Sequence, residues 1–434
     1  MKIIFKNIII NELYYLVIFF PLWWFLGVEQ FFWFVSVGLV FIQFLIYSKF
    51  EFRANMTSIL LLFFLVIYGI SFFSIQEKMR YITYFRNLST YLTAFMLLII
   101  SWNIIDKWSQ IEKLLKAIVF VMFIASIVGI LAFSFEIFRV QFKSLTGYLL
   151  PAFITKTGYG SVIAVRNVGF YNWFLGMDTY FRPSSFFLYS TMFSSTLAIV
   201  LPIAMFLRQI NKGIKRKYYS IVVLIMILAL LATTGRVAIL SFFLAFVIFQ
   251  YMKIKDISIR FLFVSLIVFL SAVFLFWLAN TGVLYQIIDV VLYSRGEGSA
   301  NTRMKIYTQT LKGFLQRPFF GWGTERDVNG LDYPLGSHSY YLGTLYKQGL
   351  VGLFLFISII IEIWKKLRVN YKTDNKIVKF LKYGQLLLLV YVFNSFTDVL
   401  DLDATTMMFL WLILSLLIVS KRVLNREMIK KENA

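Results

Sequence analysis

Residues 114–134 read LLKAIVFVMFIASIVGILAFS, an apolar run interrupted by one charge, Lys116. About 20 residues of helix cross the hydrocarbon core of a bilayer, so this run has the length of one membrane span. Comparable runs recur along the chain, near 13–28, 31–47, 57–74, 88–105, 185–207, 218–233, 237–252, 261–280, 349–364, 383–398 and 404–420. Hydrophobic residues make up 60% of the 434. A β-barrel would instead show short segments of alternating hydrophobicity, and these are absent. The expected fold class is an all-α integral membrane protein with about twelve transmembrane helices, each satisfying its own backbone hydrogen bonds inside lipid. No hydrophilic stretch is long enough to bury a core of its own, so 1–434 reads as a single polytopic domain.

The formal charge of +22 invites a nucleic-acid reading, but its distribution argues against one. The densest basic clusters, Arg208–Lys217 and Lys365–Lys382, lie in short loops that the span pattern puts on one side. Lysine and arginine favour the cytoplasmic side of a membrane, so both termini are expected there, with membrane lipids and not nucleic acid as the partner of the excess charge. Asp398, Asp401 and Asp403 then fall outside. Cysteine is absent, which removes disulfides and thiolate metal sites. The N-terminal apolar run has no small-residue cleavage site and reads as a retained first span. An abundance of Phe, Ile, Lys, Tyr and Asn hints at an AT-rich bacterial gene.

Two outer loops stand out, 135–184 and 281–348. The first carries Gly147, Pro151, Gly158, Gly160 and Gly169 among aromatics, and its apolar patches suggest interfacial or re-entrant pieces covered by the bundle. The second, between spans 9 and 10, is the more polar. Asn301 or Thr302 is expected to cap a helix from Arg303 to Gln316. Met304, Tyr307, Leu311 and Phe314 recur along it at helical spacing. Pro318 ends that helix, Gly321-Trp322-Gly323 turns the chain, and another helix is expected to begin near His338.

His338 is the single histidine of the chain. A neutral imidazole is well suited to take a proton from a hydroxyl near neutral pH. Arg303 lies in the same loop, Arg236 at the outer end of a span in Thr234-Gly235-Arg236, and Arg182 just before Pro183 where the first loop meets its span. Arginine at a membrane boundary tends to face protein or an aqueous cavity, and guanidinium binds phosphate bidentately. Each alone is also compatible with snorkelling or lipid headgroup contact, and His338 with a plain interfacial residue. Glu325, Asp327 and Asp332 fit a solvated loop, or a cation or sugar-hydroxyl site. Trp322, Tyr333, Tyr340 and Tyr341 fit either sugar stacking or an interfacial aromatic belt. No phosphate-binding glycine loop, dinucleotide fingerprint or zinc ligand set is present. No metal and no cofactor is therefore expected, and any chemistry must run on an already activated donor.

Arg303, then Pro318-Phe319-Phe320-Gly321-Trp322-Gly323, then His338-Ser339, then Gly349-Leu350-Val351-Gly352 together resemble the motifs of the O-antigen ligase and O-antigen polymerase superfamily. Thr234-Gly235-Arg236 resembles its arginine motif, and Arg182-Pro183-Ser184-Ser185-Phe186 its pre-helical arginine segment. Val237 and Ser339 depart from the residues common at those positions. The resemblance implies a metal-independent, inverting glycosyltransferase of the bacterial inner membrane, acting on the extracytoplasmic face. Its donor would be an undecaprenyl pyrophosphate-linked oligosaccharide or polysaccharide, made for O-antigen, lipopolysaccharide or capsule, with a chain-length regulator as a further partner. The implied roles are His338 as base, Arg236 and Arg303 with Arg182 on the pyrophosphate, and Trp322 and Tyr341 at the sugar. A polymerase joining two lipid-linked glycans is the first reading. A ligase acting on a lipid A core is the alternative, and a lipid-linked oligosaccharide flippase a more distant one.

Overall fold

The computed structural model describes residues 2–77, 80–155, 158–174, 177–262, 265, 298–328, 330–331, 333–369, 375–398 and 400–432. Its long helices are α1 (Lys2–Ile18), α2 (Phe20–Leu26), α3 (Glu29–Tyr47), α4 (Met56–Ser71), α5 (Arg80–Ile104), α6 (Trp108–Ser134), α7 (Ser190–Ile210), α8 (Gly213–Ala232), α9 (Arg236–Lys253), α10 (Gly298–Gln316), α11 (Tyr340–Leu367), α12 (Lys376–Asn394) and α13 (Ala404–Glu432). Eight of them, α3 to α7, α9, α12 and α13, are long and apolar enough to cross a membrane. The first expected span instead falls on a bent pair: α1 and α2 meet at 55°. Pro21, at the start of α2, supplies the cause, because it has no N–H for the preceding turn and its ring crowds it. Counted as one span, the pair makes nine. The seventh and tenth expected spans coincide with α8, which opens on Lys215-Arg216-Lys217, and with α11, which is broken at Gly349. The ninth expected span, 261–280, lies almost wholly outside the described residues.

α7 and α13 form the centre of the bundle, while α3, α4 and α9 are peripheral and turn Leu, Phe and Val side chains outward, as lipid requires. α13 packs on α5, α7 against α8 and α12, and α11 against α4. At one end of the bundle Lys6, Arg422 and Arg426 converge on Asp106, which brings the two chain termini together. The candidate site residues lie at the other end, where α3, α7, α9, α11 and α13 begin.

The first large loop departs from the helical expectation. It folds into two β-hairpins, β1 (Gln141–Lys143) with β2 (Val165–Asn167) and β3 (Gly169–Phe174) with β4 (Met177–Pro183), joined by short helical turns. Pairing two strands satisfies backbone groups that an unpaired loop would leave bare at the membrane surface. In the second loop α10 starts at Gly298, so Asn301 and Thr302 lie inside the helix and do not cap it. Its buried stripe also differs from the expected one. Ile306, Thr310 and Gly313 face inward, while Met304 is 67% and Leu311 44% exposed. Small residues let α10 come close to α11, where the Tyr346 ring would lie 2.7 Å from a Cβ at Gly313. The larger apolar side chains are left for the outer surface.

Candidate active site

Each functional side chain is fixed by local backbone chemistry. Arg182 sits on β4 opposite Phe170, and its Nε donates to the Thr233 carbonyl at 2.9 Å. Ser190, at the start of α7, donates to the Arg182 carbonyl at 2.9 Å. The hairpin is thereby tied to both α7 and the α8–α9 turn. That turn is tight: Thr234 is left-handed, and a Cβ on Gly235 would lie 2.3 Å from the Ser194 hydroxyl. Only glycine lets the turn press on α7, and Arg236 follows it as the first residue of α9.

The other half comes from the second loop. Tyr307 lies one helical turn beyond Arg303 on α10 and donates its phenol to the His338 carbonyl at 2.7 Å. His338 is itself left-handed, at φ +61°, a conformation that costs a non-glycine residue. Ser339 caps α11 immediately after it. The imidazole meets the Tyr333 ring edge-on, with centroids 4.6 Å apart. Gly336 N–H on the Thr310 hydroxyl at 3.0 Å fixes the loop from the α10 side.

These segments draw the cations into one electrostatic file. The charge of Arg236 acts on Arg182, that of Arg303 on Arg236, and that of Arg303 again on His338. Burial, with help from Arg303, pushes the imidazole down to about 4, so it is neutral at pH 7. Burial and the Arg236 charge likewise pull the Arg182 guanidinium down, though such a group stays charged. Three like charges held this way repel, and an anion between them relieves the repulsion. Asp398 is the nearby counterweight: its charge reaches Arg182 and Tyr307, and it accepts from the Ser195 hydroxyl at 3.1 Å.

Trp322 and Tyr341 sit differently. Trp322 is 7% exposed, donates its indole N–H to the Gly313 carbonyl at 2.8 Å, and is covered by the Arg317 and Arg326 guanidinium groups at 4.3 and 4.1 Å. Tyr341 donates to the Val392 carbonyl of α12 at 3.2 Å and packs on Phe396. Glu325 is not a solvated loop residue: it is 4% exposed and paired with Lys347. Asp327 pairs with Arg80, and Asp332 lies outside the described residues.

Residues 221–357 match the family model described as O-antigen ligase. That match supports a place for the chain in the O-antigen polymerase and ligase superfamily. No curated protein matches it. The superfamily comprises glycosyltransferase-like enzymes of lipid-linked glycans, in keeping with the apolar helices of a multi-pass membrane protein. The matched segment carries Arg236, Arg303, Trp322, His338 and Tyr341, and stops short of Arg182 and Asp398. Sequence reasoning did not single out Asp398 and Tyr307 as neighbours of these residues. Their signal was weak, since Asp398 is one of several outer carboxylates and Tyr307 one of 25 tyrosines.

Proposed function

We propose that the protein is a surface-polysaccharide polymerase, transferring a glycan from a polyprenyl pyrophosphate to a hydroxyl of a second lipid-linked repeat unit. Arg236 and Arg303, with Arg182 behind them, hold the donor pyrophosphate and stabilise the charge that grows as its bond to the anomeric carbon breaks. His338 takes the proton of the acceptor hydroxyl, whose oxygen attacks that carbon from the opposite side, so the configuration inverts. No metal ion takes part in this scheme. Trp322 and Tyr341 brace the wall through their own hydrogen bonds. The site faces outward from a bacterial cytoplasmic membrane, with both termini inside. The observation that supports the reading is the file of charges that runs from Arg182 through Arg236 and Arg303 to His338.

Binding the pyrophosphate adds a function to the electrostatics. The charge of Arg303 helps hold His338 down. An anion on Arg303 offsets that charge, so the imidazole becomes a stronger base only when donor is present. Water then meets a weak base and acceptor a competent one.

The matching family description favours a second reading, ligation of the finished chain to a surface acceptor. The length distribution of surface polysaccharide in cells whose single copy is His338→Ala separates the two. Loss of long chains with single repeats still attached supports the polymerase. Loss of attached sugar at every length, with lipid-linked polymer accumulating, supports the ligase. An unchanged ladder at equal expression removes His338 from the mechanism.

A further inference from the structure

α10 divides lengthwise into three faces. With about 3.6 residues to a turn, Ile306, Thr310 and Gly313 form the face that packs on the bundle. Met304, Leu311 and Leu315 form a second face, all of them exposed, Leu315 at 71%. Lys305, Gln309, Lys312 and Gln316 form the third, also exposed. Single apolar residues on a surface are ordinary, but here apolar and polar side chains segregate onto opposite flanks of one helix. A helix lying where lipid meets water has this arrangement, with its apolar flank in the hydrocarbon and its lysines at the phosphates.

The chain that follows α10 supplies the level independently. The Leu350 N–H, just past the break in α11, donates to the Pro318 carbonyl at 2.8 Å. Residues 350–361 carry no charge, and Leu350, Phe354, Ile357 and Ile361 are exposed along them at helical spacing, Phe354 at 70%. An uncharged, exposed stripe on a membrane helix faces lipid. Phe319 and Phe320 are exposed at the first turn of that stripe, where the Phe319 carbonyl accepts from the Val351 N–H at 3.4 Å. Arg317 reaches across to the Ser74 carbonyl at 3.2 Å, beside the exposed Phe73 at the end of α4. The apolar flank of α10 therefore ends beside the lipid-facing surface of α4 and α11.

We propose that the flank formed by Met304, Leu311 and Leu315 is a membrane-docking surface, sunk into the leaflet at the site end of the bundle. Phe319 and Phe320 share that layer, and Lys305 and Lys312 meet the lipid phosphates on the water side. Continuity with the exposed stripe of α11, together with the flanking lysines, selects lipid over a protein partner. Arg303, Tyr307 and Phe314 fall on the edge between the bundle-facing and apolar faces, and all three are half-buried. Docking thus holds Arg303 at the border of protein and lipid. It also fixes Tyr307, whose phenol donates to the His338 carbonyl. The surface is a property of the helix, and it stands whether or not the proposed reaction is the right one.

The chain has no cysteine, so one introduced thiol carries a spin label at a single place. Leu311→Cys, Leu315→Cys, Lys305→Cys, Gln309→Cys and Phe354→Cys are labelled in the full chain and placed in nanodiscs of phosphatidylethanolamine and phosphatidylglycerol. Relaxation by oxygen, which partitions into lipid, is compared with relaxation by a neutral nickel chelate, which stays in water. The oxygen-to-nickel ratio at 311 and 315 should approach that at 354 and exceed that at 305 and 309 severalfold. Ratios at 311 and 315 equal to those at 305 and 309 would put the flank in water and overturn the proposal. Labels at 311 and 315 that are immobilised and reached by neither reagent would overturn it too, since they would mean a flank covered by protein, whether a second copy or another segment. Thermal unfolding midpoints equal to that of the unlabelled protein show that each variant is folded. Failure of the catalytic reading shows elsewhere, as an unchanged sugar ladder in His338→Ala, and leaves these ratios as they are.

Discussion

The Lys347 ammonium lies 2.8 Å from a carboxylate oxygen of Asp401 and 3.2 Å from one of Glu325, and Lys347 and Asp401 are each 2% exposed. This buried triad joins three separate segments: α11, the loop that carries His338, and the turn before α13. Burial alone would raise the Glu325 carboxyl, but Lys347 and Arg86 hold it below the ordinary range. Tyr91 extends the network, donating to Asp401 at 3.0 Å and meeting the Tyr340 hydroxyl at 2.6 Å. Tyr340 stands two residues after His338, so the network anchors the His338 turn from below.

Lys347→Met should therefore destabilise the protein by about 3–5 kcal/mol, because it strands two buried carboxylates without a counter-charge. The midpoint of thermal unfolding in detergent measures this. Tyr91→Phe removes one hydrogen bond to the same carboxylate and should cost about 1 kcal/mol. Equal midpoints for Lys347→Met and wild type would show that the triad does not hold the loop.

Gly349 should tolerate no side chain. It breaks α11 at φ +70°, and a Cβ there would lie 2.2 Å from the Phe319 carbonyl oxygen. The break has a purpose: it frees the Tyr346 and Lys347 carbonyls to accept from the Trp322 and Gly323 N–H groups, at 2.9 and 2.8 Å. Gly349→Ala is expected to lose roughly 2 kcal/mol or more from strain and overpacking, and with it most of the activity. Limited proteolysis of the 317–339 loop should become faster in the variant.

His338 is the single histidine, so its imidazole gives one resonance. In the substrate-free protein it should titrate near 4, well below the usual 6.5. In the proposed scheme the neutral form is the working one, so kcat/KM should fall with acid only near pH 4 and stay flat toward neutrality. Arg303→Gln removes a positive charge that opposes protonation, so the midpoint should rise toward 6.5 and the acid limb should move up with it. Added inorganic pyrophosphate should move the resonance in the same direction. A histidine that titrates at 6.5 and ignores Arg303 would contradict the coupling.

Arg236→Gln and Arg303→Gln should each lower polymer synthesis by about 10²–10³, the usual cost of losing one preorganised group facing developing charge. Arg182 is already engaged on Thr233, so Arg182→Lys should act mainly by loosening the α8–α9 turn and raising KM. Asp398→Asn should strengthen donor binding, because it removes a negative charge beside the proposed phosphate site. Donor titrations of the three variants, with kcat and KM resolved, check these assignments.

Much of the architecture was legible in the residues themselves. A run such as 114–134, with one charge in 21 residues, has the length and apolarity of a membrane helix. The motif around His338 announced the family because its glycines and histidine sit at fixed spacing within one local stretch. Other features were decided by tertiary contact. The bend between α1 and α2, the hairpins of the first loop and the inward face of α10 depend on what each segment packs against. Asp401 and Glu325 read as outer-loop carboxylates until Lys347, which is distant from both in sequence, is placed between them. Sequence determined which segments enter the membrane and which chemistry was to hand, because hydropathy and motif spacing are local properties. Only the fold decided which charges meet, because a buried ion pair is set by the spatial neighbour and not by the neighbour in sequence.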